Sequence, residues 1–199
     1  MGKIKIFTGA LFLVALGLFW YLGNNVIYSE IRLMRQIKKV EKNVVNRLKQ
    51  IRDAEVAFQA VNKRYTNNWD TLITFVKHGE IYITQKTETI IPKEYGEEEV
   101  IVKIDTLGSV AVLDSLFKPS KYPRFSPDSL PFVPGYKNRK FELYASKIQK
   151  GNSWVDVFEA KDNEKGNINP ERKENSKFYH KKPLRVGSKE EISTSGNWE

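Results

Sequence analysis

The sequence predicts an α+β protein: an N-terminal transmembrane helix continuing into a long stalk helix, then a small domain with an antiparallel β-sheet. Three observations predict it. The 24 positions between Lys5 and Glu30 hold no charged side chain. Beyond them Ile37, Val44, Ile51 and Phe58 recur every seventh residue, with no Pro or Gly between Asn24 and Asn62. Later in the chain, runs rich in Val, Ile and aromatic residues alternate with polar neighbours, which is the period of a half-buried strand.

The apolar run Ile6–Leu22 approaches the roughly 20 residues a spanning helix needs. Phe19, Trp20 and Tyr21 cluster at its end, where aromatic rings favour the headgroup level. Tyr21-Leu22-Gly23 puts a bulky ring at the first small position of a signal-peptidase site, so the segment reads as an uncleaved signal anchor. Lys3 and Lys5 favour a cytoplasmic N-terminus. Arg32, Arg35, Lys38, Lys39 and Lys42 argue the other way, but long domains cross largely regardless of charge. The expected placement is the inner membrane, single-pass, with the main domain outside the cytoplasm.

Residues 30–62 form the amphipathic stalk. Met34, Leu48 and Val61 lie beside the heptad stripe. The stripe either packs on its own domain or forms a seam with another subunit; Glu41 and Glu55 on its second row interrupt a clean zipper. A second helix is expected over Trp69–Lys77, with Asn68 as N-cap, Asp70 in the first turn, a buried face of Leu72, Phe75 and Val76, and Gly79 as the stop. Residues 80–114 read as strands through Ile81, Ile83, Val100, Val102, Ile104 and the run Val110–Leu113. Phe141–Ile148 and Trp154–Ala160 read as two more, joined by a hairpin at Lys150-Gly151-Asn152. The expected units are thus 1–29 (anchor and flanks), 30–62 (stalk), 63–160 (α+β domain with a proline-rich link at 118–140) and 161–199 (polar C-terminal segment).

The 199 residues carry 33 Lys+Arg against 24 Asp+Glu, a formal charge of +9, and no cysteine. Disulfides, thiolate metal sites and cysteine nucleophiles are therefore excluded. The charge is segregated. Residues 30–64 hold ten basic and four acidic side chains, 65–117 four and nine, and 118–140 six and one. A basic stalk and a basic link flank an acidic stretch, which is unlike the basic domain face of a nucleic-acid binder.

Catalytic signals are sparse. There are two histidines, His78 at an expected helix end and His180 among lysines, so a histidine metal site is not supported. Asp162–Glu171 has calcium-loop composition, but its Gly and closing Glu stand at the wrong positions. Ser115-Leu-Phe-Lys118 fits Ser-x-x-Lys without its companion motifs. Glu97-Glu98-Glu99 reads as a solvated charge run. No catalytic residue, cofactor or metal is assigned. In the link, Tyr122, Phe125, Phe132 and Tyr136 interleave with Lys118, Lys121, Arg124, Lys137, Arg139 and Lys140, a pattern able to stack on sugars or bases or to dock on a partner. The alternative is that the rings pack on the sheet.

The stretch from Leu48 to Phe58, followed by Lys63-Arg-Tyr-Thr-Asn-Asn-Trp-Asp-Thr-Leu, resembles the type IV pilin and pseudopilin phrase in which a long helix ends at an aromatic, turns, and enters a Leu-bearing helix. The likeness covers residues 1–77 and implies an anchor helix running into a sheet domain. The processing motif is absent: Ile6 stands where the processing Gly would be, and Phe7-Thr8 leads into Gly9-Ala10-Leu11 without the glutamate. With Lys140-Phe-Glu-Leu, Val157-Phe-Glu-Ala, Arg185-Val-Gly-Ser and Ser195-Gly-Asn-Trp-Glu, the whole chain is similar to an uncharacterised family of single-span bacterial envelope proteins, which implies location and architecture and no activity.

The functional expectation is a noncatalytic, membrane-anchored envelope protein with a structural or protein-interaction role. It contacts the bilayer through residues 6–22 and associates with another envelope protein or with itself. Its partner-binding candidates are Ile37, Val44, Ile51, Tyr122, Phe125, Arg124 and Lys121. The alternatives are a binding module for an anionic polymer or lipid headgroup, and a hydrolase of envelope material.

Overall fold

The computed structural model describes residues 2–23, 28–92, 98–136, 138–162 and 183–199. They form four helices and two antiparallel sheets. The helices are α1 (Gly2–Leu22), α2 (Tyr28–Asn62), α3 (Trp69–His78) and α4 (Val112–Leu116). The strands β1 (Glu80–Pro92) and β2 (Glu98–Ala111) make a two-stranded ribbon. The strands β3 (Phe141–Lys150), β4 (Ser153–Asp162) and β5 (Arg185–Gly187) make a three-stranded sheet in the order β3-β4-β5. Residues 24–27, where α1 was expected to run into the stalk, lie outside the described residues, as do His180 and nearly all of Asp162–Glu171.

Among the described residues no helix is long and apolar enough to cross a membrane, so the expected spanning segment is not established there. The side chains described on α1 begin at Phe7, and Phe7–Leu22 is roughly 24 Å of helix against a hydrocarbon core of about 30 Å.

The 35-residue α2 organises the domain. Its stripe Val44, Leu48, Ile51, Ala54 and Phe58 is buried against Leu72 and Val76 of α3, Val112 of α4, and Phe141, Phe158, Ala160 and Val186 of the three-stranded sheet. The helix stops at Lys63, whose backbone is left-handed (φ 58°) and whose N–H donates to the Gln59 carbonyl at 2.8 Å. Asn62 Nδ2 donates to the Phe58 carbonyl at 3.1 Å, satisfying another end-of-helix acceptor. The chain then returns as α3. Asn68 Oδ1 accepts from the amides of Asp70 at 2.8 Å and Thr71 at 3.2 Å, the N-cap its position predicts. Phe75 meets Phe58 edge-to-face, with ring centroids 5.2 Å apart.

Two expectations change. Val112 and Leu113 belong to α4 and not to a strand. Val112 N–H donates to the Gly79 carbonyl at 3.0 Å, which closes the base of the ribbon and sends the chain inward, with Val112 fully buried. A four-residue apolar run is too short for its period to decide between strand and helix. The C-terminal segment also belongs to the domain. β5 pairs with β4, and the last residues lock over it: Gly187 N–H donates to the Ser195 carbonyl (3.0 Å), Arg185 and Asn197 exchange two bonds of 3.1 Å, and Asn197 Nδ2 reaches the Pro183 carbonyl (2.8 Å). The phrases Arg185-Val-Gly-Ser and Ser195-Gly-Asn-Trp-Glu, 10 residues apart in the chain, are thus two halves of one hydrogen-bonded closure. The β3–β4 hairpin turns at Gly151-Asn152 with positive φ at Gly151, the glycine-first turn that matches strand twist.

Candidate interaction surfaces

The stripe residues Ile37, Val44 and Ile51 are buried in this chain's own structure. Val44 and Ile51 pack with α3, α4 and the three-stranded sheet, so at these positions the stripe faces this chain's own domain. The aromatic link is likewise turned inward. Phe117 and Phe125 stack with centroids 4.1 Å apart, and Tyr122 lies 5.8 Å from Phe117. Asp53 of α2 pins the segment, accepting from Lys121 Nζ at 2.9 Å and Tyr122 Oη at 3.1 Å. This ion pair, with burial opposing it, holds the Lys121 ammonium above its usual range. Arg124 stays exposed, in a left-handed backbone conformation (φ 63°). Of the seven partner candidates, Arg124 and Lys121 are exposed, Lys121 while paired to Asp53, and Tyr122 and Phe125 are half-buried.

Arg139 is equally committed, its Nε donating to Asp162 Oδ1 at 2.7 Å while its guanidinium lies 4.5 Å over Tyr136. Two of the cations that the sequence places among rings, Lys121 and Arg139, are thus bound to carboxylates of the fold. His78 ends α3, and Ser115 lies in α4. Among the described residues no group of three or more His, Asp or Glu side chains is placed to hold a metal ion.

One carboxylate stands apart. Glu55 is completely buried on α2. Its Oε2 accepts from the Thr66 amide at 3.1 Å, and its Oε1 has no hydrogen-bond partner. Burial pushes its pKa up to about 8, against the lowering effect of the Thr66 bond. With a pKa of about 8 the protonated form predominates at pH 7. Burial also raises the neighbouring Tyr65, with Glu55 and Asp156 adding to the effect.

Among the described residues two extended apolar surfaces face outward, and they have opposite sequence signatures. On α1 every described side chain from Phe7 to Leu22 is exposed, including Phe12, Leu13, Phe19 and Trp20. The β1–β2 ribbon is the second. At 13 and 14 residues its strands reach about 44 Å. Its base is anchored where Ile81 packs against the core. A bulge between Ile83 and Thr84 follows, where Leu107 has no cross-strand partner. Beyond the bulge the pairs Ile90–Val100, Glu88–Val102 and Lys86–Ile104 share one face, and Thr89–Ile101, Thr87–Lys103 and Gln85–Asp105 share the other. The first face carries four exposed β-branched side chains: Ile90 at 58%, Val100 at 51%, Val102 at 46% and Ile104 at 65%. The second is mostly polar. This is the alternation of a sheet built to cover something, yet among the described residues these side chains stay exposed.

The sequence marks these strands by period alone; that they leave the core together as an arm has no local signal. Comparisons with models of protein families, with curated proteins and with solved structures find no match for this chain.

Proposed function

We propose that this is a noncatalytic, membrane-anchored interaction protein: α1 as a single-pass anchor in the inner membrane, α2 as the strut leaving it, and the β1–β2 arm as the element that meets a partner outside the cytoplasm. The observation that carries the reading is the uneven disposal of apolar residues. The domain closes its own stripe completely, while α1 and the arm remain bare. Contiguous exposed apolar surface of this extent marks interaction sites, with lipid in one case and protein in the other. The full 21-residue α1 measures about 31 Å, with Lys3 and Lys5 at one end and the aromatic cluster Phe19–Tyr21 at the other, both suited to the interfaces. The experiment is fractionation of cells making the full chain. Wild-type protein should stay in the membrane pellet through alkaline carbonate and leave with detergent. Leu13→Lys combined with Leu16→Lys should move it to the carbonate-soluble fraction. Wild-type release by carbonate would overturn the anchor.

A second reading is favoured by the exposed cations Arg32, Arg35, Lys38, Lys39 and Lys42 at the start of α2. Directly after an anchor, they suit anionic headgroups, each contributing on the order of 1 kcal/mol near a charged leaflet. If so, the double-lysine variant should still sediment with anionic vesicles at low salt and be released at high salt.

A further inference from the structure

We infer that the arm's partner is a second copy of this chain, joined edge to edge through β2 to make a four-stranded sheet in the order β1-β2-β2-β1. The inference rests on the arm being an interaction element and names its occupant.

The first argument is the state of the arm. A two-stranded ribbon is marginal by itself, and long open edges are template surfaces for another strand. Among the described residues β1 and β2 pair only with each other. The second argument is charge complementarity. Lys103 and Asp105 lie on the same face of β2, on either side of Ile104, with Nζ and Oδ2 3.1 Å apart and both side chains at least half exposed. An antiparallel pair of β2 strands whose two-fold axis passes through Ile104 sets Lys103 opposite Asp105 of the second copy, and Asp105 opposite Lys103 of the second copy. The same register brings Ile101 opposite Leu107 of the second copy, two side chains now exposed at 46% and 64%. Shifting the axis to Val102 loses both charge pairs, and shifting it to Lys103 sets like charges against each other. On the opposite face Ile104 meets Ile104 of the second copy, with Val102 of each copy diagonal to it and opposite Thr106 of the other.

The β1 edge is the competing choice. An axis through Thr87 would oppose Lys86 and Glu88, which are also ion-paired within the strand. Its flanks would then oppose Gln85 and Thr89, and its first apolar pair, Ile83 with Ile91, comes four positions from the axis and on the face opposite the charges, whereas on β2 Ile101 and Leu107 adjoin the charge pairs on one face, so β2 is the edge the residues select. An isologous contact of this kind closes on itself as a dimer and leaves charged β1 strands on the outside, where they discourage further addition.

The chain has no cysteine, so single cysteines report without background. The full chain is made in membranes with Ile104→Cys, Val100→Cys or Thr87→Cys and oxidised mildly. Residues facing themselves across an antiparallel pair have Cα atoms about 4.5 or 5.5 Å apart, inside disulfide range, whereas Val100 would sit roughly 26 Å from its copy. Ile104→Cys should give a disulfide dimer at least about tenfold more abundant than Val100→Cys. In the Ile104→Cys background, Lys103→Glu or Asp105→Lys alone should lower the yield about tenfold, and the two together should restore it, because the swapped pair is complementary again. All five positions are exposed, so folding is not at stake, and circular dichroism checks it. Equal yields at 104 and 100, a preferred crosslink at 87, a monomer only, or no rescue by the double swap would each overturn the inference. Carbonate extraction of the same samples reads the anchor separately: a chain that stays in the membrane with no crosslink at 104 retains the anchor and loses the second copy as partner.

Discussion

Glu55→Gln should abolish most of the pH dependence of this protein's stability between pH 5 and 8. The carboxyl is fully buried on α2, with one oxygen on the Thr66 amide and the other without a partner. Its pKa is pushed up to about 8 by burial, from an ordinary value of 4.5. An acid whose folded pKa is raised binds its proton more tightly when folded. The stability it lends is therefore full below about pH 4.5, falls through the window between 4.5 and 8, and is gone above it. At 1.36 kcal/mol per pH unit, the wild type should lose about 2–3 kcal/mol between pH 5 and pH 7. Glutamine keeps the shape and the acceptor for Thr66 but carries no titrating proton. The variant should match the wild type within about 1 kcal/mol at pH 5 and exceed it by about 2–4 kcal/mol at pH 8. Urea unfolding of the full chain in mild detergent, followed by tryptophan fluorescence at each pH, measures both curves. A wild type whose midpoint does not move from pH 5 to 8, or a Gln variant that keeps the wild-type slope, would show that Glu55 is solvated or paired in a way these contacts do not contain.

Three further substitutions separate the parts of the fold. Gly187 has φ +75°, and a Cβ there would run into the Phe158 carbonyl, so Gly187→Ala should cost about 1–3 kcal/mol or more and loosen the C-terminal closure, read as a lower thermal midpoint and faster amide exchange at Ser188. Asn68→Ala removes the acceptor for two α3 amides and should cost about 1 kcal/mol, with Asn68→Asp restoring it. Ile51→Ala in the closed stripe should cost roughly 2–5 kcal/mol, whereas Ile104→Ala on the arm should cost no more than about 1 kcal/mol of domain stability. Equal effects at 51 and 104, measured by urea midpoints, would mean that the arm is part of the core.

Much of the local structure is legible from residue spacing because it is decided by neighbours in the chain. The seven-residue stripe of α2, the Asn68 cap, the Gly151 turn and the strands at 80, 98, 141 and 153 all follow from backbone preferences acting over a few residues. The places where the reading changes are those where a distant partner decides. Val112 and Leu113 turn into a helix because the Gly79 carbonyl, 33 positions earlier, receives the Val112 amide. The polar C-terminal stretch becomes a strand because β4 offers an open edge and Glu159, buried, requires Arg185 across a 2.7 Å contact.

Charge shows the same division. Composition alone separates a basic stalk and link from an acidic middle, since net charge needs no coordinates. Which cations remain available is a matter of tertiary contacts: Lys121 meets Asp53, Arg139 meets Asp162, and Arg52 meets Glu199 at 2.8 Å, pairs 23 to 147 residues apart in the chain. The apolar residues divide in the same way. Their period announces a stripe on α2 and an alternation on β1 and β2 with equal clarity. Only the packing of α3, α4 and the three-stranded sheet decides that the stripe is closed and the arm is not, because the side of an element that stays bare depends on what the rest of the chain has already covered.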